Sequence, residues 1–444
     1  MDNISARLDR LPITSIHRNA IIALAFAYFS ELGDISTFSF AAPSLMEQWH
    51  LAVHAVALIT SAGFGGMFIG GILGGRISDL VGRKRALMGF ILTYTLSSVA
   101  NAFVWNVESL ALMRILTGMG IGAMTVIANT YICEMFPAAV RGKYLASILT
   151  IGLIGIPATA IVARLVVPIA PWGWRCIFIW GGLGVISLFY LMRLPESPRW
   201  YQMKKRAHDA HQTIERMERV AFEETGKLQA PTEGPVEVQE RPGSGYRDLF
   251  LKRQRPITLM LIVVWIFQTI GAYGFLAWVP TLLVGHGFSI VKSLTFTCVI
   301  AACNPIGSLF ASRLVERFDR KWFIVVTSVA VAIFGLLYGM TFEPYLILVF
   351  GARVVIGIQA FVATVYAYTP ELFPTSLRSS GHGLVYGLGR LANVVGPIII
   401  GALYSGFGYQ SVFLYIAGCW LIVAAAVGFF GPLTSSRALE TLNL

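Results

Sequence analysis

Residues 74–87 read GGRISDLVGRKRAL, and 237 residues later the chain returns to the same pattern in ASRLVERFDRKWFI (311–324). Arg76, Asp79, Gly82, Arg83 and Lys84 align with Arg313, Glu316, Asp319, Arg320 and Lys321. At the same offset Glu134, Phe136, Pro137 and Arg141 align with Glu371, Phe373, Pro374 and Arg378. Arg114 and Gly118 align with Arg353 and Gly357 after a slip of two residues. Apolar helices imitate one another easily, but charges recurring at one spacing in the same loops mark a duplication.

Working outward, the segments between these loops are apolar. The chain is 56% hydrophobic and only 13% charged over 444 residues, against roughly 25% charged in soluble domains. Runs near the roughly 20 residues needed to cross a bilayer recur throughout. Twelve spans are expected, at about 20–43, 56–78, 86–105, 110–132, 145–169, 174–193, 257–284, 290–312, 322–341, 345–369, 380–404 and 409–431. The predicted fold is an all-α membrane protein with a six-helix bundle over 1–194, a linker over 195–256 and a second six-helix bundle over 257–444. In the linker, residues 204–224 have Ala207, Ala210, Ile214, Met217 and Ala221 on one side, as in an amphipathic surface helix. Residues 226–245 have the composition of a flexible tether.

An even number of spans puts both termini on one side. Of the 34 Lys and Arg residues, 28 fall before span one, in the even-to-odd loops or in the tail, which predicts that these face the cytoplasm. The net charge of +11 therefore reports topology and contact with the lipid bilayer's anionic inner leaflet, not a nucleic-acid partner. The first span is too long for a cleavable signal and carries Glu31 and Asp34. The five cysteines and seven histidines follow no disulfide or metal spacing. Without a Walker pattern or a nucleophile–base motif, neither ATP drive nor an enzyme is indicated, and no cofactor or metal is expected.

GGRISDLVGRKRAL and LMRILTGMGIG (112–122) resemble the loop 2–3 and fourth-span signatures of the major facilitator superfamily. PESPRWY (195–201) and PELFPTSLRSSGHG (370–383) resemble its sugar-porter and organic-ion branch. The seventh span, WIFQTIGAYGF (265–275), has a single Gln268 where sugar porters carry a Gln-Gln pair. The tenth lacks their Gly-Pro-x-Pro-Trp. YTPELFPTSLRSSG is closer to organic cation and anion transporters and to their bacterial relatives that carry nicotinate and other aromatic acids. The short first outer loop, about 44–55, lacks the ectodomain of the animal members and favours a bacterial inner-membrane protein.

Ionisable groups inside spans cost about 2.5–3.5 kcal/mol on insertion scales, so each asks for a function. Arg390 lies near the middle of span eleven, and its repeat counterpart is Leu153, so it is no scaffold feature of both halves. A guanidinium there suits a carboxylate held by two parallel hydrogen bonds. An internal salt bridge to Glu31 or Asp34 is the plainer alternative. The resemblance implies that a basic residue in this stretch selects anions. Glu31 and Asp34, three apart on one helix face, cannot both ionise cheaply in a low dielectric, and one is expected to carry a proton; Glu31, nearer mid-span, is preferred. Gln268 is the counterpart of Glu31 and is expected at the same depth. Tyr28, Trp265, Tyr273, Trp278, Tyr366 and Tyr386 would suit a flat aromatic ligand as a set, although any one of them is better read as packing. Asn304 and Asn393 are further polar candidates, with helix-to-helix hydrogen bonding the stronger reading for each.

The resemblance further implies gating ion pairs at the inner ends of the spans, from Asp79, Arg83, Glu134 and Arg141 in the first half and Glu316, Arg320, Glu371 and Arg378 in the second, with Arg114 and Arg353, inside spans four and ten, counted in the same gating set. The expected function is proton-coupled, alternating-access transport of a small organic anion, nicotinate-like, by a monomer. A sugar or polyol porter, an organic-cation or drug transporter, and a non-transporting nutrient sensor are the alternatives.

Overall fold

A computed structural model of the chain describes residues 4–226, 228, 246–252, 254–314, 318–373 and 377–433. All regular structure among them is helical. The first part comprises α1 (Ile4–Asp9), α2 (Ser15–Trp49), α3 (Val53–Val81), α4 (Arg83–Asn101), α5 (Val107–Met135), α6 (Ala138–Leu153), α7 (Gly155–Val166), α8 (Gly173–Gly181) and α9 (Ile186–Leu191). The linker contributes α10 (Pro198–Met203) and α11 (Ala207–Thr225). The second part holds α12 (Arg255–Leu276), α13 (Val279–Gly285), α14 (Ile290–Ala301), α15 (Cys303–Leu314), α16 (Arg320–Met340), α17 (Pro344–Glu371), α18 (Arg378–Phe407) and α19 (Tyr409–Phe430).

Four expected spans are broken helices: the one at 174–193 is interrupted by a 3-10 turn over Gly182–Val185, and one residue type accounts for the other three. α6 ends at Leu153, α12 at Leu276 and α14 at Ala301. Each lies four residues before a proline: Pro157, Pro280 and Pro305. Proline has no N–H to give the carbonyl four residues back, and its ring crowds that carbonyl, so the ladder is interrupted at that point.

Among the described residues, eleven segments are long and apolar enough to cross a membrane. The third expected span, α4, is not among them, chiefly because its 19 residues begin with Arg83, Lys84 and Arg85, to which Asn101 and the hydroxyls of Thr93, Thr95, Ser97 and Ser98 add. Several of its polar groups are bonded inside the protein. Asn101 Nδ2 donates to Thr117 Oγ1 at 3.1 Å and Thr117 Oγ1 to Ser97 Oγ at 3.0 Å, which joins α4 to α5. On the adjoining pair, Gly66, Gly70 and Gly74 recur every fourth residue of α3, and a Cβ on any of them would run into Ile115, Met119 or Ala123 of α5. The glycine-rich stretch is thus a close-packing face.

The chain forms two compact units, one of Met1–Ile35, Gly65–Gly155 and Phe178–Val238, the other of Ser36–Phe64, Ile156–Ile177 and Gln239–Leu444. In the first, α11 buries Ala210, Ile214, Met217 and Ala221, while Ala207 at its start stays exposed. It is fastened to the N-terminal segment: Arg7 and Arg10 both bond Glu218 at 2.6 Å, and Arg18 pairs with Glu224 at 2.9 Å. Burial would raise the Glu218 carboxyl, but the hydrogen bonds from Arg7 and Arg10 outweigh it and hold the group below the usual carboxylate range. The tether expected over 226–245 lies almost wholly outside the described residues. In the second unit α12 packs on α18 and α19, and α16 on α17 and α19.

Candidate substrate site and ion pairs

Arg390 projects from α18 and is half-buried. Long side chains on a helix lean back toward its N-terminus, which brings the guanidinium onto Tyr386, one turn earlier. Nε and Nη2 donate to Tyr386 Oη at 3.0 and 2.7 Å, and Nη1 donates to Tyr273 Oη of α12 at 3.2 Å. Cζ lies 5.0 Å from the Tyr386 ring centre. No carboxylate pairs with Arg390 among the described residues. Phenol hydroxyls orient the guanidinium but do not neutralise it, and a buried charge calls for a counter-ion.

Rings continue from this point. Trp265 meets Tyr366 and Tyr386 edge-to-face at 4.9 and 5.4 Å, and its Nε1 donates to Thr369 Oγ1 at 3.0 Å. Tyr366 keeps 40% of its surface exposed. His382, not singled out from the sequence, completes the group and stacks on Tyr386 at 6.2 Å. Its spacing was the available signal: positions 382, 386 and 390 repeat every four residues on one helix face.

The other candidates of this unit lie apart in their bonding. Gln268 turns its amide to Thr269 Oγ1 of its own helix at 2.6 Å. Asn304 bonds Gln359 at 2.6 Å, tying α15 to α17. Asn393 is buried, with neither amide atom bonded among the described residues. Trp278 is buried just past the end of α12. A separate cavity of about 590 Å³ is lined by Pro43, Glu47, Thr281 and Phe288 among others, and none of the singled-out residues borders it.

In the first unit the acids of α2 face α5. Glu31, 3% exposed, accepts from Thr125 Oγ1 at 2.6 Å. One turn away Tyr28 donates to Asn129 at 2.7 Å. Asp34 is fully buried, accepts from Ser98 Oγ of α4 at 2.5 Å and pairs with Arg114 Nη1 of α5 at 3.6 Å. Arg114 thus stands against a buried acid in mid-bundle. Arg353, aligned with it from the sequence, is exposed and lies over the Phe334 ring at 5.0 Å. A slip of two residues is 200° of helix rotation, which puts the two arginines on opposite faces.

At the helix ends Arg83 bonds Glu134 at 3.0 Å and contacts Asp79. In the second unit Arg320 pairs with Glu371, the repeat of Arg83 and Glu134. Arg141 is exposed, Glu316 lies outside the described residues, and so does the side chain of Arg378. PESPRWY, legible only as a signature, is a structural brace. Glu196 accepts from the Lys84 N–H at 2.9 Å, Trp200 Nε1 donates to the Asp79 carbonyl at 3.0 Å, and Tyr131 Oη donates to the Pro195 carbonyl at 2.7 Å. Tyr368 repeats the last bond 237 residues on, donating to the Pro432 carbonyl at 2.8 Å. Among the described residues no group of His, Cys, Asp and Glu side chains could hold a metal.

Apolar spanning helices, a duplicated set of end-of-helix ion pairs and buried charges in mid-span accompany a family match that makes the chain a membrane transporter of the major facilitator fold, not an enzyme. The sequence model described as "Sugar (and other) transporter" matches residues 25–444, and the chain belongs to that family. It is 44% identical to the putative metabolite transport protein YyaJ of Bacillus subtilis, over 98% of this chain and 97% of the relative. It is 29% identical to the niacin transporter NiaP of Acinetobacter baylyi over the full length of both. The partially occluded, inward-open structure of the Escherichia coli xylose transporter XylE superposes with a TM-score of 0.77 at 19% identity, covering 95% of this chain and 99% of that one. The protein is a multi-pass protein of the bacterial inner membrane with the twelve-helix fold of this superfamily.

Proposed function

We propose that the protein takes up a small organic anion, a nicotinate-like aromatic monocarboxylate, by alternating access with proton symport. The carrying observation is Arg390, a half-buried guanidinium held by two tyrosine hydroxyls and no described carboxylate, beside a wall of aromatic rings. Arginine offers two parallel N–H groups to a carboxylate, and stacked rings suit a flat substrate. The full-length likeness to a protein named as a niacin transporter supports the same reading.

The proposed organisation is a pair of six-helix bundles, 1–194 and 257–444, with both termini and the 195–256 linker in the cytoplasm, acting as a monomer. Bringing one negative charge into a cell costs about 2.3 kcal/mol per 100 mV, and one accompanying proton removes that cost. Glu31 and Asp34 are the proton carriers in this proposal. Glu31 has a hydroxyl donor in Thr125, while Asp34 has Arg114 to hold its ionised form, so protonation of Asp34 would free the arginine. The Arg83–Glu134 and Arg320–Glu371 pairs serve as latches that exchange during the cycle.

The test is nicotinate uptake into proteoliposomes with and without an imposed pH gradient. The expected outcome is gradient-driven accumulation that Arg390→Ala abolishes. A sugar or polyol reading draws on the family's description. It requires uptake of a neutral substrate that survives Arg390→Ala, and that result would remove the anion assignment.

A further inference from the structure

On the reading of Arg390 as the carboxylate clamp, the residues beyond it define which aromatic acids are taken. His382 is surrounded by three rings: Trp265 at 5.8 Å, Tyr366 at 6.1 Å and Tyr386 at 6.2 Å between centroids. Its ring lies nearly parallel to that of Tyr386, with 17° between the planes. The same Tyr386 ring has the Arg390 guanidinium carbon 5.0 Å from its centre. Tyr386 therefore stands between a cation and an imidazole on one face of α18, each one helical turn from it.

The surrounding groups leave the imidazole without a polar task. The Trp265 N–H is committed to Thr369, and the Tyr386 hydroxyl accepts from Arg390. His382 Nδ1 is buried with no hydrogen-bond partner among the described residues. A polar nitrogen left unsatisfied among aromatic faces costs free energy that a ligand atom would recover.

We propose that His382 is a specificity-determining residue of the substrate site and hydrogen-bonds a polar atom on the ring of the aromatic acid, at the end away from its carboxylate. The carboxylate sits on Arg390, the ring lies against Trp265, Tyr366 and Tyr386, and the far edge meets the imidazole. Neutral imidazole carries one donor and one acceptor nitrogen, so a pyridine nitrogen or a phenol hydroxyl are both acceptable partners. The substrate class is then aromatic monocarboxylates with a hydrogen-bonding ring atom. Benzoate, of the same shape without that atom, is disfavoured because it leaves the imidazole unpaired.

The experiment measures initial uptake of nicotinate, 4-hydroxybenzoate and benzoate by proteoliposomes containing the wild-type chain, His382→Phe or His382→Gln. Expressing each result as a ratio of two substrates in one preparation cancels differences in folding and insertion. The wild type is expected to favour the two polar-ring acids over benzoate. His382→Phe should lower that ratio by about tenfold, and His382→Gln, which keeps a donor and an acceptor, should retain most of it. Wild-type uptake with the same ratio in all three proteins overturns the role of His382 and leaves the anion reading standing. Absence of uptake of any aromatic acid by the wild type overturns both.

Discussion

The two halves start their third helices in the same way with different residues. In the second half Asp319 caps α16 from its own position, accepting from the Lys321 N–H at 2.8 Å. In the first half the equivalent residue is Gly82, which has no side chain to offer and sits at φ 107°, a conformation glycine adopts without strain. The equivalent N–H, that of Lys84, is capped by Glu196, 112 residues away. A Cβ on Gly82 would collide with the Glu196 carboxylate. Where Glu196 stands, the second half has Leu433. A local cap and a remote cap meet the same requirement, an unsatisfied N–H at a helix start. The remote one also ties the linker to the bundle.

The buried charges differ more sharply. Asp34, Ser98 and Arg114 have Gly271, Gly335 and Gly351 at the corresponding positions of the second half. Gly271 abuts the Trp420 indole, and Gly351 abuts Ile300 and Tyr338, so apolar packing occupies the place of the ion pair. Conversely His382, Tyr386 and Arg390 correspond to Leu145, Leu149 and Leu153. The duplicated scaffold carries the buried acids in one half and, in the other, a cation with no carboxylate partner among the described residues, the division that the proposed symport of protons and anions would use.

The largest effect is expected from making the halves alike at Arg390. Arg390→Leu should reduce anion uptake roughly a hundredfold or more, since a buried charge pair with substrate is lost entirely. Retention of uptake would break the assignment of the cation to the second half. Removing Arg114 comes next. Arg114→Ala leaves Asp34 buried without its arginine and should cost about 3–5 kcal/mol of stability, read as a fall in melting temperature that Asp34→Asn partly restores in the double variant. The acids then sharpen the comparison. The variant among Glu31→Gln and Asp34→Asn that carries the proton should lose gradient-driven accumulation and keep exchange of substrate in the absence of a gradient. If both variants accumulate as the wild type does, the first half is not the proton-carrying one.

The caps should give smaller changes. Glu196→Ala and Asp319→Ala should each cost about 1 kcal/mol, and Gly82→Ala more than either, because it adds backbone strain to the clash. Smallest is the α1–α11 clamp. The Glu218 carboxyl is depressed in the folded protein, so its contribution is present above the unfolded carboxylate value and is lost as pH falls through the lower folded value. Protease access to the N-terminal segment should therefore rise only under acid conditions below the ordinary carboxylate range, and Glu218→Gln should abolish that dependence.

Much of the fold was legible because its signals are local. The repeat stands out in loop charges and the spans in apolar length, whereas the breaks in α6–α7, α12–α13 and α14–α15 were not foreseen, since Pro43, Pro370 and Pro397 lie inside helices that stay continuous. The hidden parts depend on partners distant in sequence. Arg114 was counted among the gating residues and aligned with Arg353, whereas its partner Asp34 lies 80 residues away on another helix. The span of α4 was recognisable in the sequence although its basic start and its hydroxyls make it less apolar than the others, and the bonds that Ser97 and Asn101 make to Thr117 were not.

The sequence by itself determined the class of the molecule, since hydropathy, charge placement and a duplicated motif are properties of residues counted along the chain. It also singled out Arg390, because a charge in an apolar span is conspicuous wherever the helix packs. Only the tertiary structure decided that Arg390 rests on tyrosine hydroxyls, that Asp34 belongs to Arg114, that Glu196 caps another helix and that His382 faces three rings. Those outcomes depend on which helix faces meet, and helix rotation is set by packing among segments far apart in the chain.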